Sequence, residues 1–458
     1  MTEQVQTALE TQGAVNLEFF YWMSVAVMLL IHAGFLAYEG GASRAKHVMA
    51  SLLKNVLSLA VVIPSVFFVG WFVYNAFPGG LPQLDEVSKA ALPWTANSGP
   101  NLEDPVTGIF FGAFALFAAT TGSIMSGALI ERIRLSAFMI LVFCLGGVVW
   151  LIGAAWGWHG SGWLVTELGL RDVGAAGCVH MIAGFFTLGV LIHLGPRIGK
   201  YNADGTANDI RPHNLPLTMF GLMLIFAGFF GFLMGCVVYS GEGYTTIFGS
   251  PTNLSALMFN TLMGLAGGFI GAFVGSKGEA FWTVSGGLAG VISVAAGIDI
   301  YHPALGFVIA IAGGFMMPRL GGMLERRFKI DDPVGAVTVH GLMGVWSLLA
   351  CGIFAAGYPS AVGGPDISFL GQAGGMLVFV ALGFIPGYAI AGVLKLAGIL
   401  RYPPEVEIAG LDLAETPSTA YPYGIPATVT YETFLGAGNG SNGGGAPAPA
   451  GSYRAPEA

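Results

Sequence analysis

Residues 172–186 read DVGAAGCVHMIAGFF, and residues 332–346 read DPVGAVTVHGLMGVW. Laid over each other they match at Asp172 and Asp332, Ala176 and Ala336, Val179 and Val339, His180 and His340, and Gly184 and Gly344. The spacing Asp-x7-His-x3-Gly therefore occurs twice. Both histidines sit in apolar runs that read as membrane-buried, where an ionisable group is expensive and marks function by default. One buried histidine could be a packing residue bonded to a neighbouring carbonyl; two at matched positions point to a shared role.

The runs around them set the architecture. A spanning helix needs about 20 mostly apolar residues. Eleven such segments lie near 17–39, 49–77, 106–130, 136–158, 173–195, 215–240, 252–276, 280–298, 302–318, 334–357 and 371–397. His180 falls in the fifth and His340 in the tenth. Five helices apart, the two copies run in opposite directions, the signature of an inverted-topology repeat with its site at the midplane. The predicted fold is an all-α polytopic membrane protein of eleven transmembrane helices, a five-plus-five inverted repeat with one additional C-terminal helix.

Composition agrees. Of 458 residues 54% are hydrophobic and only 10% charged, with a mean hydropathy of +0.72; soluble domains are about a quarter charged. The 71 glycines suit tightly packed helices in a bilayer. The polar start MTEQVQTALETQ lacks the basic region of a signal peptide. Cys144, Cys178, Cys236 and Cys351 all lie in apolar segments, which suggests neither a disulfide framework nor a zinc site.

Positive charge orients the helices. Alternate loops carry Arg44 and Lys46, Arg132 and Arg134, Arg197, Lys200 and Arg211, Lys277, then Arg319, Arg326, Arg327 and Lys329, with Lys395 and Arg401 at the end of the last helix. The opposite loops carry only Lys89 and Arg171. The expected arrangement is N-terminus outside and C-terminus in the cytoplasm of a cell (inner) membrane. The expected divisions are an extracytoplasmic segment 1–16, a membrane domain 17–397, a cytoplasmic region 398–434 and a disordered Gly/Pro/Ala-rich tail 435–458. An acidic, Pro-rich outer loop, 78–105, is expected to cap the outer face.

Each Asp is placed to N-cap its helix. Each His follows eight residues later, about 12 Å along the axis, against about 15 Å for half the hydrocarbon core. The rings are expected to meet near the midplane and to hydrogen-bond. His32 has no repeat partner and reads as structural; His193 and His302 lie near helix ends and read as interfacial.

Several stretches then resemble one family. DVGAAGCVHMIAG, SGALIERIRLSAF, RPHNLPLTMFGLMLIFAGFFGF, DDPVGAVTVHGLMGVWSLLACGIFA, GFLAYEGGASRAKHVMASLLKN and EVEIAGLDLAE together are similar to the ammonium transporters (Amt/Mep, related to Rhesus-type proteins). The resemblance implies a homotrimer with one pore per subunit, ammonium or ammonia as substrate, membrane lipid around it, and neither cofactor nor enzyme activity. It puts His180 and His340 on the pore-lining twin-histidine positions. It puts Phe117 and Phe232 on two stacked phenyl rings that gate the pore from outside. It puts Trp158 on the outer recruitment site, although the segment is two residues longer than in the family and leaves Trp156 and Trp163 as alternatives. Asp172 falls on the aspartate that supports that site. Ala113 replaces a third outer aromatic, for which Phe114 or another nearby ring could substitute, and Cys236 replaces the family's serine. A PII-type regulator at the cytoplasmic face is also implied, though GLDLAETPSTAYP (410–422) departs from the family's short acidic-Gly signature.

An intact ammonium ion would lose its hydration in the low-dielectric core at several kcal/mol or more; ammonia would not. The expected mechanism recruits NH4+ over aromatic faces, removes its proton, and conducts NH3 past His180 and His340, which can relay protons because imidazole titrates near neutrality. The resemblance implies net charge movement for the family's bacterial members and conduction closer to neutral for Rhesus-type relatives. A passive ammonia channel is one rival. An ammonium sensor that signals through its tail is another; the changes at Ala113 and Cys236 keep it open, and the Gly/Pro/Ala-rich end carries no kinase or cyclase domain. Bis-histidine haem ligation is a third, disfavoured by the reading of the site as a hydrophobic pore.

Overall fold

The computed structural model describes residues 3–83, 105–237, 244–245, 251–252, 254–360 and 364–422. Among them, eleven helices are long and apolar enough to cross a membrane. In chain order they are α1 (Glu3–Ala42), α2 (Ala45–Ala76), α3 (Phe110–Ala128, with its first turns from Pro105), α4 (Leu135–Gly157), α5 (Ala176–Leu194), α6 (Leu215–Gly235), α7 (Leu254–Ser276), α8 (Ala280–Gly297), α9 (Pro303–Phe328), α10 (Val337–Phe354) and α11 (Phe369–Leu396). Two-residue strands, Tyr244–Thr245 and Pro251–Thr252, pair between α6 and α7. Apart from that short pairing, the chain is a helical, multi-pass membrane protein. The compact unit runs to Ala420; of a second unit, Tyr421–Ala458, only Tyr421 and Pro422 are described. Lys89, most of the outer loop 78–105 and the tail 435–458 lie outside the described residues.

Several boundaries differ from hydropathy. Helix α1 begins at Glu3, not 17, because a helix does not stop where its sequence becomes polar: Gln6 donates to Glu10 at 2.7 Å and Gln12 to Asn16 at 2.9 Å, one turn apart. Helix α9 runs to Phe328 rather than 318, past Pro318 and into the basic Arg326–Arg327 turn, where cations suit a helix C-terminus. Helices α5 and α10 start three residues later than hydropathy suggests, because the turns before them are used for capping.

Helix α2 contains a π-helical turn at Val66–Gly70, just after Pro64. Proline removes a backbone donor from the ladder, and a wider turn is one way to absorb the break.

The basic loops converge on one face. Arg44 donates to Glu131 through its N–H at 2.7 Å and its Nε at 2.5 Å. Arg197 donates to Asp331 three times, at 2.8 to 3.0 Å. Arg132 reaches the Gly195 carbonyl at 2.9 Å and the Asp331 carbonyl at 2.7 Å. Glu131, Arg132, Arg197 and Asp331 are all buried, and buried charges persist only when paired. The short helices α12 (Pro404–Ala409) and α13 (Leu411–Glu415) close over this face. Glu407 accepts from the Ile198 N–H at 2.7 Å, Asp412 from the Ala50 N–H at 3.0 Å and Glu415 from the Leu135 N–H at 3.1 Å. The chain after α11 is thereby tied to three basic loops.

Candidate functional site

Helices α5 and α10 each open with π-helical turns, Ala176–Met181 and Val337–Leu342, and each stretch contains its histidine. Such π turns concentrate at functional sites. The two aspartates hold the openings. Asp172 accepts from the Gly177 N–H at 2.9 Å and the Cys178 N–H at 2.8 Å; Asp332 accepts from the Val337 N–H at 2.8 Å. Burial pushes the Asp172 carboxyl up to about 6, against the pull of the Cys178 and Gly177 amides. Five residues before each histidine the backbone is left-handed, at Ala175 (φ 65°) and at Gly335 (φ 70°).

The helices then cross in close contact. A Cβ on Gly184 would lie 2.3 Å from the Gly341 nitrogen, and one on Gly344 would lie 2.5 Å from the Ala176 carbonyl oxygen. This crossing brings the imidazoles together: His180 Nδ1 lies 3.0 Å from His340 Nδ1. One ring donates and the other accepts, so in the neutral pair one Nε2 carries a proton and the other a lone pair. His180 Nε2 has no protein partner among the described residues.

A ladder of rings leads away from this pair. Phe232 lies 5.9 Å from His180 and 4.7 Å from Phe117 between centroids; Phe117 lies 5.2 Å from Trp158. Phe117 and Phe232 meet at 86°, edge to face, not in the parallel stack expected from the family pattern; the ring quadrupole favours this geometry. Both are fully buried. Phe229, which the sequence did not single out, covers His180 at 5.9 Å and 11°. Its signal was available: it precedes Phe232 by three residues, on the same helical face.

Of Trp156, Trp158 and Trp163, it is Trp158 that lies against Phe117. Its Nε1 donates to the Asp172 carbonyl at 2.7 Å. Trp156 and Trp163 contact each other at 5.8 Å. Cys236 caps α6 one turn after Phe232, its N–H directed to the Phe232 carbonyl at 3.1 Å, and is partly buried. Ala113 is buried. Phe114, one residue on, packs with Trp71, Tyr74, Phe110 and Trp150. Trp150, fully buried in α4, lies 6.5 Å from both Phe117 and Trp158; nothing local in the sequence marks it.

His32, His193 and His302 lie elsewhere. His32 faces Thr120 at 3.5 Å, His193 packs on Tyr388 at 4.2 Å, and His302 accepts from the Ala304 N–H at 3.1 Å as the cap of α9. On the face opposite the basic loops Arg171 is buried, paired with Asp299 and donating to the Ser360 carbonyl at 2.8 Å. Asp299 was not anticipated, since its partner is 128 residues away. Near the basic face a cavity of about 230 Å³ is lined by Arg197, Lys200, Glu279, Asp331 and Thr338, among others.

Comparison with known proteins agrees with this architecture. The chain is 30% identical over 430 residues to the ammonium transporter Amt2 of Archaeoglobus fulgidus, covering 88% of each chain. It is 28% identical to Amt1 of Methanocaldococcus jannaschii, covering 88% of this chain and 96% of that one. Among solved structures, one described as a sensor Amt protein superposes with a TM-score of 0.77 at 28% identity, covering 88% of this chain and 99% of that one. The Candida albicans Mep2 structure, at 22% identity and a TM-score of 0.69 over 85% of this chain and 86% of that one, shares the fold. Residues 19–421 match the Ammonium Transporter Family, and the chain belongs to that family of membrane transport proteins, not of enzymes.

Proposed function

We propose that this protein moves ammonium across the cell (inner) membrane, and that it does so by separating the proton from ammonia. The observation that carries the reading is the buried, mutually hydrogen-bonded His180–His340 pair at the end of the ring ladder. NH4+ is recruited beside Trp158, with Cys236 and Asp172 nearby, at about 0.5–2 kcal/mol per ring face. Phe117 and Phe232 admit the neutral molecule past an apolar constriction. His180 and His340 offer one acceptor and one donor to NH3 and pass the proton along, which makes transport electrogenic. K+ has no proton to give up and is excluded. The basic face lies in the cytoplasm, by the excess of Arg and Lys on its loops, and three copies assemble with one such pathway each.

The test is current recording on reconstituted protein during an ammonium jump, with methylammonium and K+ as comparisons. Wild type is expected to carry current with ammonium and none with K+. His180→Ala is expected to abolish or strongly reduce it in an assembled trimer. A wild-type current in that variant defeats the relay.

A second reading, an ammonium sensor with little or no transport, is favoured by the likeness to the sensor Amt protein structure. It predicts saturable ammonium binding without any ammonium-evoked current.

A further inference from the structure

On the inner side of the histidine pair lies a small cavity lined by Tyr38, Glu39, Ser285, Val339 and His340, among others. Its volume is about 10 Å³, near the minimum that admits one water, roughly 10–15 Å³. Glu39 is fully buried. Its Oε1 accepts from the Ser126 hydroxyl, while Oε2 has no hydrogen-bond partner among the described residues.

The charged group that acts on Glu39 is Lys54 of α2. It is buried too, and its Nζ has no hydrogen-bond partner among the described residues and lies 5.6 Å from the Phe138 ring centroid. Glu131, Arg132 and Glu415 also act electrostatically on Lys54. On its own helix Glu39 adjoins Tyr38, which donates to the Val334 carbonyl at 3.1 Å and lies near Asp332. Asn55 of α2 lies 3.2 Å from the Ser126 hydroxyl and also interacts with the Glu39 carboxyl. Other buried carboxylates, at Asp299, Asp332, Asp412 and Glu415, also leave one oxygen without a hydrogen-bond partner among the described residues. What sets Glu39 apart is the water-sized space that it lines together with the His340 imidazole.

We propose that Glu39 is the inner proton-exchange residue of the pathway. The step rests on the conduit reading above and balances as follows. The proton taken from NH4+ outside passes through His180 and His340 to the Glu39 carboxylate, making the neutral acid. The acid O–H bond then breaks as NH3, having passed His340, takes the proton and becomes NH4+, which regenerates the carboxylate. Lys54 supplies the positive charge that keeps the regenerated carboxylate tolerable in a buried site. Glu39 and Lys54, on neighbouring helices, thus hold the proton on the inner side until ammonia arrives.

The experiment compares wild type, Glu39→Gln and Glu39→Asp in full-length protein reconstituted in liposomes, with assembly and thermal unfolding checked for each. Glutamine keeps the acceptor for Ser126 but carries no exchangeable acid proton. It is expected to lower the ammonium-evoked current by roughly a hundredfold, the low end for a lost proton-transfer group, and to flatten the pH profile of what remains. Aspartate is expected to restore most of the current and the wild-type shape of that profile. Wild-type current and profile in Glu39→Gln overturn the proposal while leaving the conduit reading intact. So does an aspartate variant as inactive as glutamine, which makes Glu39 a packing residue. Absence of current in wild type overturns the conduit reading and this proposal with it.

Discussion

Trp158 donates its indole N–H to the carbonyl of Asp172 at 2.7 Å, while the carboxylate of the same Asp172 holds the Gly177 and Cys178 amides at the head of α5. One residue therefore sets both the outer ring of the ladder and the helix that carries His180. Tryptophan and imidazole are placed by opposite ends of a single amino acid.

Asp172 also predicts a pH effect. Burial raises its carboxyl from 3.8 to about 6, so the folded state favours the neutral acid. Its contribution to stability is full below 3.8 and is lost as pH rises through about 6. Asp172→Asn cannot ionise. The difference in melting temperature between wild type and Asp172→Asn is expected to shift toward the variant across that window; a constant difference defeats this account.

Trp158→Leu is expected to weaken apparent ammonium affinity more than maximal current, by about 0.5–2 kcal/mol for one lost ring face. Trp156→Leu, whose ring packs on Trp163 instead, is expected to leave affinity near wild type. Concentration dependence of the ammonium current measures both, and the reverse pattern removes Trp158 from the recruitment site.

Cys236 follows Phe232 by one turn at the end of α6. A thiol is a weak hydrogen-bond partner, so Cys236→Ser is expected to tighten apparent ammonium affinity by about 0.5–1.5 kcal/mol if a net hydrogen bond is gained. The same placement predicts that a small thiol reagent added from outside labels Cys236 and spares buried Cys351. Resistance to labelling, or unchanged affinity in the serine variant, makes this residue packing.

Gly335 and Ala175 occupy matching left-handed turns. Gly335→Ala adds backbone strain of about 1–2 kcal/mol and drives a Cβ to 2.8 Å from the Trp282 ring, so it is expected to lower the melting temperature clearly. Ala175→Gly relieves the same strain but loosens the unfolded chain by about 0.5–1 kcal/mol; its net effect is a small stabilisation. Thermal unfolding in detergent compares them, and equal melting temperatures for all three proteins contradict the strain argument.

Hydropathy and one repeated motif were enough to read the eleven spans, the inverted repeat and the pairing of His180 with His340. These signals are local, or recur at matched positions, and a bilayer leaves a chain few other options. The loop charges likewise marked one basic face. What no stretch of sequence displayed was the set of contacts between distant segments. Arg171 meets Asp299, Trp150 reaches Phe117 and Trp158, and Glu407, Asp412 and Glu415 return to cap three basic loops. The edge-to-face Phe117–Phe232 pair, the choice of Trp158 over its two neighbours, and the open carboxylate of Glu39 beside His340 belong with these. Each depends on how side chains from different helices share a few ångströms of space, and helix-to-helix packing is decided only when all of them are in place.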